Sequence, residues 1–150
     1  MHFTEEKAQA ILDHIKRKGA KNGPYFAAAV IWLEKNGHLR EISFDPPILG
    51  SRLSKRAIAK ARVGLNFGED TLDYFRLIAE KNGCKLLDDE RDWEFIGATV
   101  IVEDDAGAVA AIGVDGRRPF QECGTIKISQ PHNHELACIG RDFYKENLRT

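Results

Sequence analysis

The chain is 150 residues long and sets 22 lysines and arginines against 23 aspartates and glutamates, for a formal net charge of -1. That length carries one compact domain with a sizeable core and leaves no room for two ordinary ones, so residues 1–150 are read as a single domain. The near-neutral balance gives no global attraction to nucleic acid or to an anionic membrane surface, and any binding site has to be argued locally.

The N-terminal residues lack the continuous apolar stretch behind a basic start that an export signal requires. The longest apolar run, Tyr25 to Leu33, is far shorter than the ~20 residues of a membrane-spanning helix. Three cysteines, Cys84, Cys123 and Cys138, make an odd number without a Cys-x-x-Cys pair, which fits a reduced, cytoplasmic chain better than a disulfide scaffold.

In chain order, Thr4 is placed to cap a helix from about Thr4 to Lys18, with Glu5 and Glu6 at its positive end and Gly19 as its stop. Tyr25 to Glu34 is an apolar, alanine-rich run that reads as a strand. Lys35-Asn36-Gly37 is a hairpin turn signal, because Asn and Gly tolerate positive φ, and His38 to Phe44 is the return strand. Ser51 to Asn66 reads as a helix capped at Ser51 or Ser54, its apolar side made by Leu53, Ala57, Ile58, Ala61 and Leu65. Arg52, Lys55, Arg56, Lys60 and Arg62 form its basic side. Asp70 starts another helix that runs to Asn82-Gly83, and Lys85 to Trp93 is an acidic surface connection. Strands follow at about Thr99 to Glu103, Ala108 to Val114 and Gly124 to Ser129, then a helix from about His132 to Glu146. The order predicts an α+β fold, a profilin-like sandwich in which an antiparallel sheet of about five strands packs with helices.

Several clusters invite a chemical reading. Glu103, Asp104 and Asp105 offer oxygen donors, but they sit where two strand-like runs meet and no second acid cluster completes a cation cage, so the turn of a hairpin is the better reading. Two histidines two apart, His132 and His134, would point the same way on an extended segment and hold a metal with Cys123 or Cys138 as a further donor. The same stretch is also an ordinary helix start, with Asn133 as cap and Glu135 in the first turn. The basic helix face suits carboxylates or an acidic partner, although such a stripe is commonly just the solvated side of an amphipathic helix. No glycine-rich phosphate loop or dinucleotide fingerprint is present, and no base is placed against Cys123 by any motif.

Three stretches carry a family resemblance. Ala29 to Leu39 looks like an opening hairpin with a small-residue strand; Ala57-Ile58-Ala59-Lys60-Ala61 is similar to an Ala-x-x-Lys-Ala helix followed by Phe67-Gly68; and Gly107 to Gly116 is close to a Gly-x-x-x-Gly-Ala-Ile-Gly-Val-Ser-Gly strand. Together they resemble the GlcG/HbpS-like family, which includes heme-binding proteins and the C-terminal domain of some corrinoid adenosyltransferases. A sister group of small proteins with the same fold gives a competing register at the end of the chain, where Gly124 to Ser129, Pro131 and His134-Glu135-Leu136 match its last strand and helix start. Where the family shows Gly-Gly before its third strand, this chain has Gly97-Ala98, and Arg117 to Cys123 has no counterpart in the first register.

The resemblance implies a small-molecule-binding domain, with heme or another tetrapyrrole as ligand, its pocket between sheet and helices. Lys60, Gly97, Ala98, Arg117 and Arg118 would line that pocket, and His38, His132 or His134 would be the candidate iron ligand. It also implies a homo-oligomer, and a non-enzymatic interaction protein with Trp32, Trp93 or Phe120 anchoring an interface is the alternative of a different class. A small enzyme acting on a polar metabolite is a third, for which the sequence names no catalytic set.

Overall fold

In the computed structural model, which describes residues 3–21, 23–48, 50–74, 77, 97–102, 107–116 and 132–149, helix α1 (Glu5–Ala20) begins where Thr4 Oγ1 accepts the Lys7 N–H at 3.2 Å. Glu5 and Glu6 occupy its first turn and Arg17 and Lys18 its last, each sign matched to the helix dipole. The helix runs past the expected stop at Gly19 and ends at Ala20. Gly19 lies inside the helix, and a Cβ there would stand 2.3 Å from Cζ of Phe26, so the glycine is needed to let that ring lie against the helix.

Strands β1 (Ala27–Leu33) and β2 (Leu39–Phe44) form the predicted hairpin. Gly37 takes φ 82° in its turn, and Asn36 Oδ1 accepts the His38 N–H at 3.0 Å. Helix α2 (Leu53–Phe67) ends at Gly68, whose left-handed φ of 69° lets its N–H reach the carbonyls of Gly64 and Leu65. Its start differs from expectation. Neither Ser51 nor Ser54 is the cap; Asp45 reaches across from the end of β2, and its carboxylate accepts the Ser54 N–H at 3.0 Å and the Ser54 hydroxyl at 2.7 Å.

Strands β3 (Ala98–Val102) and β4 (Ala108–Asp115) complete an antiparallel sheet of order β2-β1-β4-β3. The sheet thus has four strands among the described residues, against the expected five, and the strand read at 124–129 lies outside them. The acidic knot at 103–105, Lys85 to Trp93, Phe120, Cys84 and Cys123 also lie outside them, while the two strands flanking the knot pair antiparallel as a hairpin requires. Helix α3 (His132–Phe143) continues into a π-helical turn, Tyr144–Leu148.

The two faces of the sheet are covered by different helices, giving an α+β sandwich. Alternate residues of β1 and β4 decide which face they serve. Ala28, Val30, Trp32, Ala110, Ile112 and Val114 pack with α1 and α3, joined by Phe3, Phe26 and Tyr144. Ala27, Ala29, Ile31 and Ala111 pack with Ala57 and Ala61 of α2. This double coverage is why β1 reads as an uninterrupted apolar run rather than an alternating one. No helix among the described residues is long and apolar enough to cross a membrane.

Candidate functional site

Polar side chains withdrawn from water gather at one end of the sheet, where β4 finishes, β3 begins and α3 starts. Lys60, expected on the basic side of α2, instead points at the sheet and is 1% exposed. Burial of an ammonium group costs several kcal/mol unless it is paired, on the order of that for any buried ion. Here Nζ donates to Asp115 Oδ1 at 2.7 Å and to the Val114 carbonyl at 3.3 Å. The second carboxylate oxygen of Asp115 lies 3.2 Å from Arg56 Nε in an ion pair, so one carboxylate of β4 faces two cations of α2. Arg56 keeps 54% of its side chain exposed, and its terminal nitrogens make no hydrogen bond among the described residues. The rest of the basic stripe is solvated, Arg62 for example pairing with Glu41 at 3.0 Å on the surface.

Gly97 stands beside this pair. Its φ of 131° belongs to glycine, and a Cβ would lie 2.6 Å from the Val114 carbonyl oxygen and 2.9 Å from Asn133 Cβ. Backbone approach is therefore required at Gly97 for the closure of β3 against β4 and α3, where Gly97 O accepts the Val114 N–H at 2.9 Å. Ala98 is fully buried at the start of β3. The amides of Gly97 and Ala98 both donate to Thr71 Oγ1, at 3.2 and 3.1 Å, and the Val100 amide donates to Asp70 Oδ1 at 3.0 Å. Side chains from residues 70–71 thus cover amides of β3 that a sheet edge would leave unpaired. Asp70, read from the sequence as a helix start, does more than cap: it is buried and receives both its short bonds, 2.9 and 2.7 Å, from Nη1 of Arg141 on α3.

His134 and Cys138 meet on the same helix. His134 is buried and its Nε2 lies 3.3 Å from Cys138 Sγ. Burial pushes the Cys138 thiol up to about 11, against the pull of Arg141. Burial also works against the charge of Arg141, but the hydrogen bond and charge of Asp70 outweigh it and hold the guanidinium above its ordinary value. The segment read as extended for His132 and His134 is helical instead, residue 132 being the first of α3. Asn133, expected as the cap, lies inside α3 for the same reason.

Of the residues expected to line a pocket, Lys60, Gly97 and Ala98 come together. Arg117 and Arg118 lie outside the described residues. His38 is exposed in the β1–β2 turn, past Leu33 at the far end of β1 from Ala27, the residue paired with Asp115; at about 3.3 Å per residue that places it roughly 20 Å away. Sequence reasoning missed Asp115, Asp70 and Arg141. The one available signal was an acid closing an otherwise apolar strand at Asp115; nothing local marks the other two.

No protein-family model and no curated protein matches the chain. Solved structures do. A double mutant of HbpS from Streptomyces reticuli aligns with a TM-score of 0.63 at 19% identity, over 95% of this chain and 86% of that one. The chain has the GlcG/HbpS-like fold. The Klebsiella pneumoniae protein ORFY aligns with a TM-score of 0.62 at 16% identity, over 98% of this chain and 92% of that one. PduOC, solved as a complex with heme, aligns with a TM-score of 0.55 at 13% identity, over 95% of this chain and 94% of that one.

Proposed function

We propose that the protein is a small-molecule-binding domain for a carboxylate-bearing ligand of the tetrapyrrole class, held where α2 and the ends of β3 and β4 meet. The observation that carries this reading is Arg56: its Nε sits 3.2 Å from Asp115 while its terminal nitrogens make no hydrogen bond among the described residues, and such a fork suits a carboxylate bidentately. Lys60, Gly97 and Ala98 build the wall behind it. The fold shared with a heme complex supports the ligand class.

Heme is tested by the residues themselves. Its propionates fit the Arg56 fork. Among the described side chains its iron finds no ready ligand, because the buried His134 faces Cys138 and His38 is at the wrong end of the sheet, so the reading rests on recognition of the carboxylates. Titration with hemin, followed by native mass spectrometry, is expected to give one ligand per chain, and Arg56→Ala to weaken binding by about tenfold, as loss of a charge-assisted pair does. A spectrum that never shows a 1:1 mass, or an affinity indifferent to Arg56→Ala, would sink the proposal.

The exposed pair Leu33 and Leu39, opposite each other in the β1–β2 register, favours a second reading, self-association through this hairpin. Light scattering at rising concentration tests it, and a mass fixed at one chain excludes it. The free thiol of Cys138 supports a reducing compartment, the cytoplasm.

A further inference from the structure

Asp70 lies far in the chain from His134 and Cys138, which share α3, yet a carboxylate oxygen, an imidazole nitrogen and the thiol sulfur all lie within 4.8 Å of one another. Tetrahedral zinc holds such donors at about 2.0 to 2.3 Å, which sets donor-to-donor separations at roughly 3.3 to 3.8 Å. His134 Nε2 and Cys138 Sγ are already 3.3 Å apart, because residues four apart share one helix face. The remaining donor needs to close by no more than about 1.5 Å, within reach of side-chain adjustment at a tetrahedral site.

Asp70 is oriented for the task. The Val100 amide and Arg141 Nη1 give it three hydrogen bonds. An ionised carboxylate has about four acceptor positions, so one remains. Outer partners of this kind are what fix ligating carboxylates in metal sites. The donor set also selects the metal, since thiolate and imidazole favour zinc-class ions over magnesium or calcium.

We propose that Asp70, His134 and Cys138 form a binding site for a divalent transition metal of the zinc class, the fourth position being taken by water or by an oxygen or sulfur of a bound small molecule. The site goes beyond the carboxylate-binding role of Arg56 and does not depend on it. Deprotonation of Cys138 on binding brings two negative charges, with Asp70, to meet the divalent ion. Arg141 adds a positive charge beside them, so the ion exchanges more readily than one in an all-thiolate structural site.

Cobalt(II) provides the readout. Titration of the purified chain with Co2+ is expected to develop thiolate-to-cobalt charge-transfer absorption in the near ultraviolet and tetrahedral bands in the visible, saturating at one ion per chain and bleached by Zn2+. Cys138→Ser is expected to abolish the charge-transfer band, and His134→Gln to weaken binding by about tenfold or more. Arg56→Ala should leave the spectrum unchanged. Thermal unfolding of each variant separates loss of metal from loss of fold. A folded wild-type chain with no saturable cobalt spectrum overturns the assignment, as does a charge-transfer band that survives Cys138→Ser and so belongs to Cys84 or Cys123.

Discussion

Two adjacent residues of β4 show how differently the faces of the sheet are built. Ile112 is fully buried among the large side chains of α1 and α3, in the cluster that includes Trp32, Phe26 and Tyr144. Gly113 faces α2, and a Cβ there would stand 2.0 Å from the Ala57 carbonyl oxygen and 2.9 Å from the Ala61 amide. One face is filled by volume; the other is closed by near contact of backbones, with alanines and glycine between. The close face also buries charge, because a helix lying so near the sheet brings the Lys60 ammonium within reach of a β4 carboxylate and carbonyl. Bulk stabilises the first face, and smallness with charge pairing shapes the second.

The sharpest test of that contrast is Asp115→Ala. Removing Asp115 takes the paired carboxylate from the buried Lys60 ammonium; breaking a buried ion pair costs about 3–5 kcal/mol, and urea unfolding should show that loss. Adding Lys60→Met should recover most of it, because replacing both charges by apolar groups is commonly near neutral. A double variant no more stable than Asp115→Ala would mean that the loss came from somewhere other than the stranded charge.

How much of this was legible in the chain follows from the range of the interactions. The Thr4 cap, the Asn36-Gly37 turn and the Gly68 stop are local, and each reads off a few consecutive residues. The polar pairs span 55 residues for Lys60 with Asp115 and 71 for Arg141 with Asp70, and no local pattern encodes them. Lys60 looked like one more member of a basic stripe because helical spacing cannot tell a solvated lysine from one turned to a carboxylate on a distant strand. Gly19 looked like a helix stop because the ring that needs its missing Cβ belongs to Phe26, beyond the break at Gly23-Pro24. His132 and His134 were read on an extended backbone, and the contact of His134 with Cys138, four residues on, follows once that stretch is helical.

The adjacent residues of β4 give the next two tests. Ile112→Ala empties volume in the large-residue face and should cost about 2–5 kcal/mol. Gly113→Ala does the reverse, forcing a methyl against the backbone of α2, and should cost about 1–3 kcal/mol through overpacking. Their readouts differ as well. Gly113→Ala pushes α2 from the sheet, so it should weaken hemin binding at Arg56, whereas Ile112→Ala should lower stability with affinity kept. If the two variants change stability and affinity in the same proportion, the faces are not the separate devices described here.

The smallest effect concerns the outer end of α2, which is held by a surface carboxylate. The hydroxyl of Ser54 first, and its amide second, hold the Asp45 carboxyl below its ordinary value of 3.8. A depressed folded-state value means stability that is present above the unfolded value and lost as the pH falls through the folded one. Asp45→Ala should therefore lower the melting temperature at neutral pH by a small amount, less than any substitution above, since the group is exposed and screened. The gap between wild type and variant should narrow as both are acidified below 3.8 and the pH falls through the lowered folded-state value. A gap unchanged across that range would assign the anchoring of α2 to the hydrogen bonds of the Ser51 and Ser54 hydroxyls rather than to the charge of Asp45.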